Sequence, residues 1–144
     1  ETDMTIFFRR LMEIETSTEL ENVDSHTVVP LIDAYYSEAD FHESVNGRLV
    51  DWVRLYLQEV KQLGIHDEER TAIMKTANPK FVLRNYLAQL AIDAAESGDI
   101  TMTHQLLDVL RNPYDEQPDH AEWAAKRPDW ARHRPGCSML SCSS

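Results

Sequence analysis

Glycine, cysteine and long apolar runs are all scarce in this chain, and each shortage closes off a class of protein. Only 4 glycines stand among 144 residues, and none builds a Gly-rich phosphate loop. A Walker Lys-Ser/Thr, a Gly-x-Ser-x-Gly elbow and a His-Glu-x-x-His pair are absent too. No apolar stretch approaches the ~20 residues a membrane helix needs, and no charged-then-apolar leader marks a signal peptide. The chain begins at Glu1 rather than Met, which suggests an engineered or a processed piece and weakens any reading of targeting. Its two cysteines, Cys137 and Cys142, do not make a secreted disulfide scaffold. A bridge between them would close a short loop, which stabilises little, so any role is chemical rather than structural. Basic charge is short as well: 14 Lys and Arg face 25 Asp and Glu, for a net charge of −11. Nucleic-acid binding needs a basic face to displace counterions, so no nucleic-acid partner is expected. The acidic runs Glu13-Ile14-Glu15 and Asp67-Glu68-Glu69 and the basic stretch from Lys126 to Arg134 read as solvated surface. A basic tail folding onto an acidic neighbour is the sharper alternative.

What is present is helical patterning. Thr2-Asp3 can cap a helix whose apolar face is Met4, Phe7, Phe8, Leu11 and Ile14. Polar residues from Glu15 to Ser25 read as a connection, and Pro30 suits the first turn of a short second helix. The strongest pattern runs through Val45, Leu49, Trp52, Val53, Tyr56, Leu57, Val60 and Leu63, with Gly64 as its stop. Asp67 is expected to cap the next helix, which Asn78-Pro79 ends. A helix from Phe81 to Ser97-Gly98 and a successor capped by Asp99 and closed by Asn112-Pro113 form a helical hairpin. The expected fold is all-α, an irregular helical bundle with a proline-rich tail. Residues 1–113 form the helical segment. Residues 114–144 form an extended tail with one short helix near Ala121 to Lys126 and the terminal cysteines.

Few residues stand out for chemistry. Asp93 and Glu96 share a helix face at i, i+3 and read as solvated. His120, His133, Cys137 and Cys142 offer two nitrogens and two sulfurs, but their gaps do not match a zinc pattern, and no metal is expected. Trp52 and Tyr86 read as core anchors, while Trp123 and Trp130 pin the tail to the helices. Arg84 can pair with a carboxylate or with chain ends, and Asn85 can bond backbone groups; both read as structural.

The stretch NPKFVLRNYLAQ (Asn78 to Gln89), followed by AIDAAESGD (Ala91 to Asp99), resembles the C-terminal signature of the selenoprotein O (SelO) family. Further pieces fall in the family's order: DMTIFFRRL near the start, LLDVLRNPYDEQP from Leu106, PDWA from Pro128 and a terminal SCSS. The resemblance touches most of the chain, least specifically between Glu15 and Glu38. It implies a part of a larger protein-kinase-like fold that transfers AMP from ATP to Ser, Thr or Tyr hydroxyls of client proteins, using Mg²⁺ or Mn²⁺. The residues holding nucleotide and metal lie upstream in that family, so no catalytic or cofactor-binding residue carries over. The chain alone is expected to be inactive and to bind no cofactor. Its expected partners are the upstream kinase-like core and, in the whole protein, the clients. The resemblance implies a cytoplasmic location in a bacterium, or a mitochondrial one in a eukaryote. Asn78, Arg84, Asn85 and Tyr86 become structural motif positions. Cys142 stands at the third position from the end, which is selenocysteine or cysteine in the family. That implies a redox handle whose partner is a cysteine of the core, with Cys137 as the alternative and a surface thiol without a role as the third possibility. Apart from the family, the acidic first half around a large amphipathic helix also suits a docking module for clients or subunits. A self-sufficient thiol redox protein using Cys137 and Cys142 fits worse, because the Cys-x-x-Cys spacing is missing.

Overall fold

A computed structural model of the chain describes residues 1–37 and 42–137, without the side chains of Glu43 and Ser44. The described residues are all-α, with one isolated antiparallel bridge between Thr2 and Tyr35. They divide into two compact units, Glu1–Pro79 and Lys80–Ser144.

In the first unit, α1 (Met4–Leu11) starts where Asp3 accepts a 3.1 Å hydrogen bond from the Ile6 amide. This is the cap expected from the sequence, and it satisfies one of the donors a helix start leaves over. α2 (Val29–Ile32) is a single turn with Pro30 in its first positions. α3 (Glu43–Leu63) buries Leu49, Val53, Leu57 and Val60 at four- and three-residue steps. It ends at Gly64, whose φ of 65° suits a residue without Cβ. Trp52 is not the buried anchor expected of it: 40% stays exposed. The helix turns about 100° per residue, so with Val53 facing the core, Trp52 sits at the edge of the stripe. α4 (Asp67–Ala77) starts after His66 rather than after Asp67, whose carboxylate instead accepts from the Thr16 amide at 2.9 Å. The core of this unit joins Phe7, Leu11 and Ile14 to Leu31 and Ala34 and to the α3 stripe. Val23, from the polar connection, is buried with them.

The second unit is a hairpin of α5 (Asn85–Glu96) and α6 (Thr101–Arg111). α5 begins four residues later than the apolar pattern suggested. The amides of Lys80 and Phe81 both donate to the Pro113 carbonyl, at 2.8 and 3.0 Å, which holds the chain outside the helix. At the hairpin turn Gly98 has φ 88°, and the Gly98 and Asp99 amides return to Ala95 and Ala94. Asp99 lies one residue before the α6 cap position and accepts from the Thr101 amide at 2.9 Å. The tail holds two 3₁₀ segments, Pro118–Ala124 and Asp129–Arg132, where one short helix was expected.

Candidate functional site

The stretch after Pro113 is a strap docked on the Lys80–Asp93 segment, and the contacts run in order along it. At the near end, Lys80 Nζ donates to both the carbonyl and the carboxylate of Glu116, at 2.9 and 2.7 Å. Gln117, with a left-handed φ of 35°, turns its amide nitrogen onto the Val109 and Asn112 carbonyls and so closes the open end of α6. Further on, Arg84 donates to the Ala124 carbonyl at 3.3 Å. Trp123 packs against the cluster formed by Tyr86, Leu87, Ala91 and Leu106, which Ala131 and Cys137 complete from the strap side. Trp130 meets the Tyr86 ring edge-on at 6.1 Å and carries the Arg134 guanidinium over its face at 5.8 Å.

The far end is fastened twice. Arg134 pairs with Asp93, whose other oxygen accepts from Gln89 Nε2 at 2.8 Å. Gln89 and Arg134 together hold the Asp93 carboxyl below the usual carboxylate range. Asp93 is therefore a fastening point, not the merely solvated residue the i, i+3 pattern suggested. Gly136, at φ 81°, passes so close that an added Cβ would collide with Gln89 Oε1. One residue later Cys137, a free thiol only 2% exposed, fills the cluster as a small apolar group.

The first unit is tied by a different residue. Arg70 is 5% exposed. It donates to the Met12 and Ile14 carbonyls at 3.1 and 2.7 Å, to the Tyr56 hydroxyl at 2.9 Å, and to Asp67 at 2.9 Å. The guanidinium thus serves carbonyls that the end of α1 leaves without helical partners. Burial pushes the Asp67 carboxyl up, but the hydrogen bonds from Thr16 and Arg70 outweigh it and leave it below the usual range.

No protein-family model matches the chain. Curated relatives match it from end to end. It is 49% identical over 150 residues to a protein nucleotidyltransferase YdiU of Rhodopirellula baltica, covering all of this chain and 28% of that protein. A protein of the same name from Azoarcus is 50% identical over 144 residues, with 26% of its length covered. One from Flavobacterium johnsoniae is 45% identical over 148 residues, with 27% covered. The match falls in the C-terminal part of these proteins. The chain belongs to the SelO/YdiU family. It spans about a quarter of the length of the curated relatives it matches.

The family signature spans the boundary between the units, and its positions have separate duties. Asn78 ends α4 and accepts a 3.2 Å bond from Arg9 through its carbonyl. Arg84 and Asn85 open α5, and Tyr86 is buried beneath the strap. Cys142 lies outside the described residues, as does the terminal SCSS. Of the four zinc candidates, His120, His133 and Cys137 are described. Among the described residues no three His, Cys, Asp or Glu side chains gather into a set able to hold a metal ion. His120 instead stacks on Trp123 at 4.8 Å. Among the described residues no helix is long and apolar enough to cross a membrane. Arg70 and Gln117 went unnoticed in the sequence. The i, i+3 spacing of Asp67 and Arg70 was the available signal for the first, and nothing local marked the second.

Proposed function

We propose that this chain is the C-terminal portion of a protein adenylyltransferase, which transfers AMP from ATP to Ser, Thr or Tyr hydroxyls of client proteins. The observation that carries the reading is the match of the whole chain, at 45–50% identity, to the C-terminal part of proteins named protein nucleotidyltransferase YdiU. The groups that bind ATP and a divalent ion belong to a kinase-like core upstream, and the whole protein works in the cytoplasm of a bacterium. The role of this chain is structural and regulatory. Its strap fixes the chain as far as Cys137, so the last seven residues start from a defined point on α5. Cys142 is the redox handle, closing a disulfide with a cysteine of the core, and the burial of Cys137 supports an upstream partner.

The test is transfer from labelled ATP. The full-length protein with Mg²⁺ or Mn²⁺ should place label from the α-phosphate on protein hydroxyls, while this chain alone should place none. Label transferred by the chain alone would overturn the assignment of catalysis upstream. A full-length protein that binds other proteins without labelling them would turn the reading to a docking module.

A further inference from the structure

The first unit has an apolar face that no described residue of that unit covers. α1 turns Phe7 and Leu11 into the core, which leaves Met4 and Phe8 one turn apart on its outer side, 53% and 37% exposed. These two residues, with Thr5, Asn78 and Pro79, line a concavity of about 180 Å³. Arg9 holds one wall in place through its bond to the Asn78 carbonyl. From Phe8 a row of rings runs through the buried Phe7 to the half-exposed Trp52. Phe8 meets Phe7 edge-on at 5.6 Å, Phe7 lies 5.6 Å from Trp52, and Trp52 stacks on Tyr56 at 5.8 Å. None of the five residues lining the concavity is charged, although 27% of the chain is. Exposed Met and Phe beside an uncharged hollow are what interface centres contain, and isolated folded surfaces rarely keep them.

We propose that this face seats an apolar segment of the polypeptide that precedes Glu1. The inference rests on the reading of the chain as the C-terminal part of a longer protein. The choice of occupant follows from length. The chain covers only 26–28% of the Azoarcus and Rhodopirellula relatives and matches their C-terminal part, so most of each relative lies upstream of the match. A segment tethered in the same molecule meets the face at an effective concentration on the order of millimolar, which a separate molecule seldom reaches. The concavity takes one or two apolar side chains, and the uncharged lining penalises an acidic or basic occupant by desolvating its charge.

Two measurements on the full-length protein test this without using activity. In the first, p-benzoylphenylalanine replaces Phe8, the protein is irradiated at a concentration where it is monomeric, and the adducts are mapped. Adducts to residues upstream of Glu1 in the same molecule are expected. Adducts between copies or to another protein, or none at all, would overturn the proposal. In the second, hydroxyl-radical oxidation of Met4 and Phe8 is compared in the folded and the urea-unfolded unsubstituted protein. A covered face should slow both by tenfold or more. A slowing of about twofold is what half-exposure alone gives, and it would overturn the proposal even if the substituted protein failed to fold. A protein that transfers AMP but leaves this face open refutes only the docking; one that covers the face but transfers nothing refutes only the function.

Discussion

Replacing Arg70 with Met should open the end of α1 more than any change at a surface ion pair. The substitution keeps most of the side-chain volume and removes the guanidinium. Two backbone carbonyls, Met12 and Ile14, then lose short charged donors in a site where Arg70 is almost fully buried. Leaving a buried acceptor unsatisfied costs about 1–3 kcal/mol each. Other effects soften the loss. Asp67 is 38% exposed and keeps its bond from Thr16, so no buried charge is stranded. Tyr56 keeps a contact to Met74 Sδ at 3.4 Å, and the methionine adds apolar contact of its own. The net destabilisation is therefore about 3 kcal/mol, on the order of a hundredfold in the opening equilibrium. Hydrogen exchange of the α1 and α4 amides in the full-length protein reads this locally. Arg70→Lys should recover less than half of the loss, because one ammonium cannot fan across acceptors as a guanidinium does. Arg10 is the contrasting case: it pairs with Glu13 and Asp33 at 2.6 and 2.7 Å but is 43% exposed. Arg10→Ala should cost less than about 1 kcal/mol. Protection in α1 that stays within threefold of the parent in Arg70→Met would refute the reasoning.

The strap gives two further predictions. Gly136→Ala combines a left-handed φ with a collision at Gln89, whose side chain cannot swing away without leaving Asp93. It should weaken the far end of the strap by about 1–3 kcal/mol, seen as faster exchange over residues 128–137 with α6 unchanged. Acid should act at the same place. The Asp93 carboxyl is depressed, so its contribution is full above the unfolded value of about 3.9 and is lost as pH falls through the folded value. Fluorescence of Trp123 and Trp130 should therefore report a docked strap at pH 5 and loosening below about pH 4. Asp93→Asn should remove that pH response, and a response unchanged in the variant would show that Asp93 is not its source.

What the sequence disclosed was local, and what it hid was tertiary. The Asp3 cap, the α3 stripe and the Gly64 stop were legible because each depends on residues within a few positions. The burial of Arg70 was not, since the Met12 and Ile14 carbonyls are 58 and 56 residues away. The start of α5 was misplaced for a similar reason: the Lys80 and Phe81 amides tie the segment ahead of it to the Pro113 carbonyl, far along the chain. The sequence left Cys137 open as the alternative partner of Cys142, but Cys137 is enclosed by Tyr86, Leu87 and Ala131, a grouping only the docked strap creates. The family signature was readable as a motif, while its use as a receptacle for the strap needed the partners that follow Pro113.

The most direct measurement is disulfide mapping by mass spectrometry of the oxidised full-length protein. The expected result is Cys142 bonded to a cysteine upstream of Glu1, with the Cys137 thiol still reduced beneath the docked strap. A Cys137–Cys142 bridge, or a Cys142 that stays reduced throughout, would contradict it.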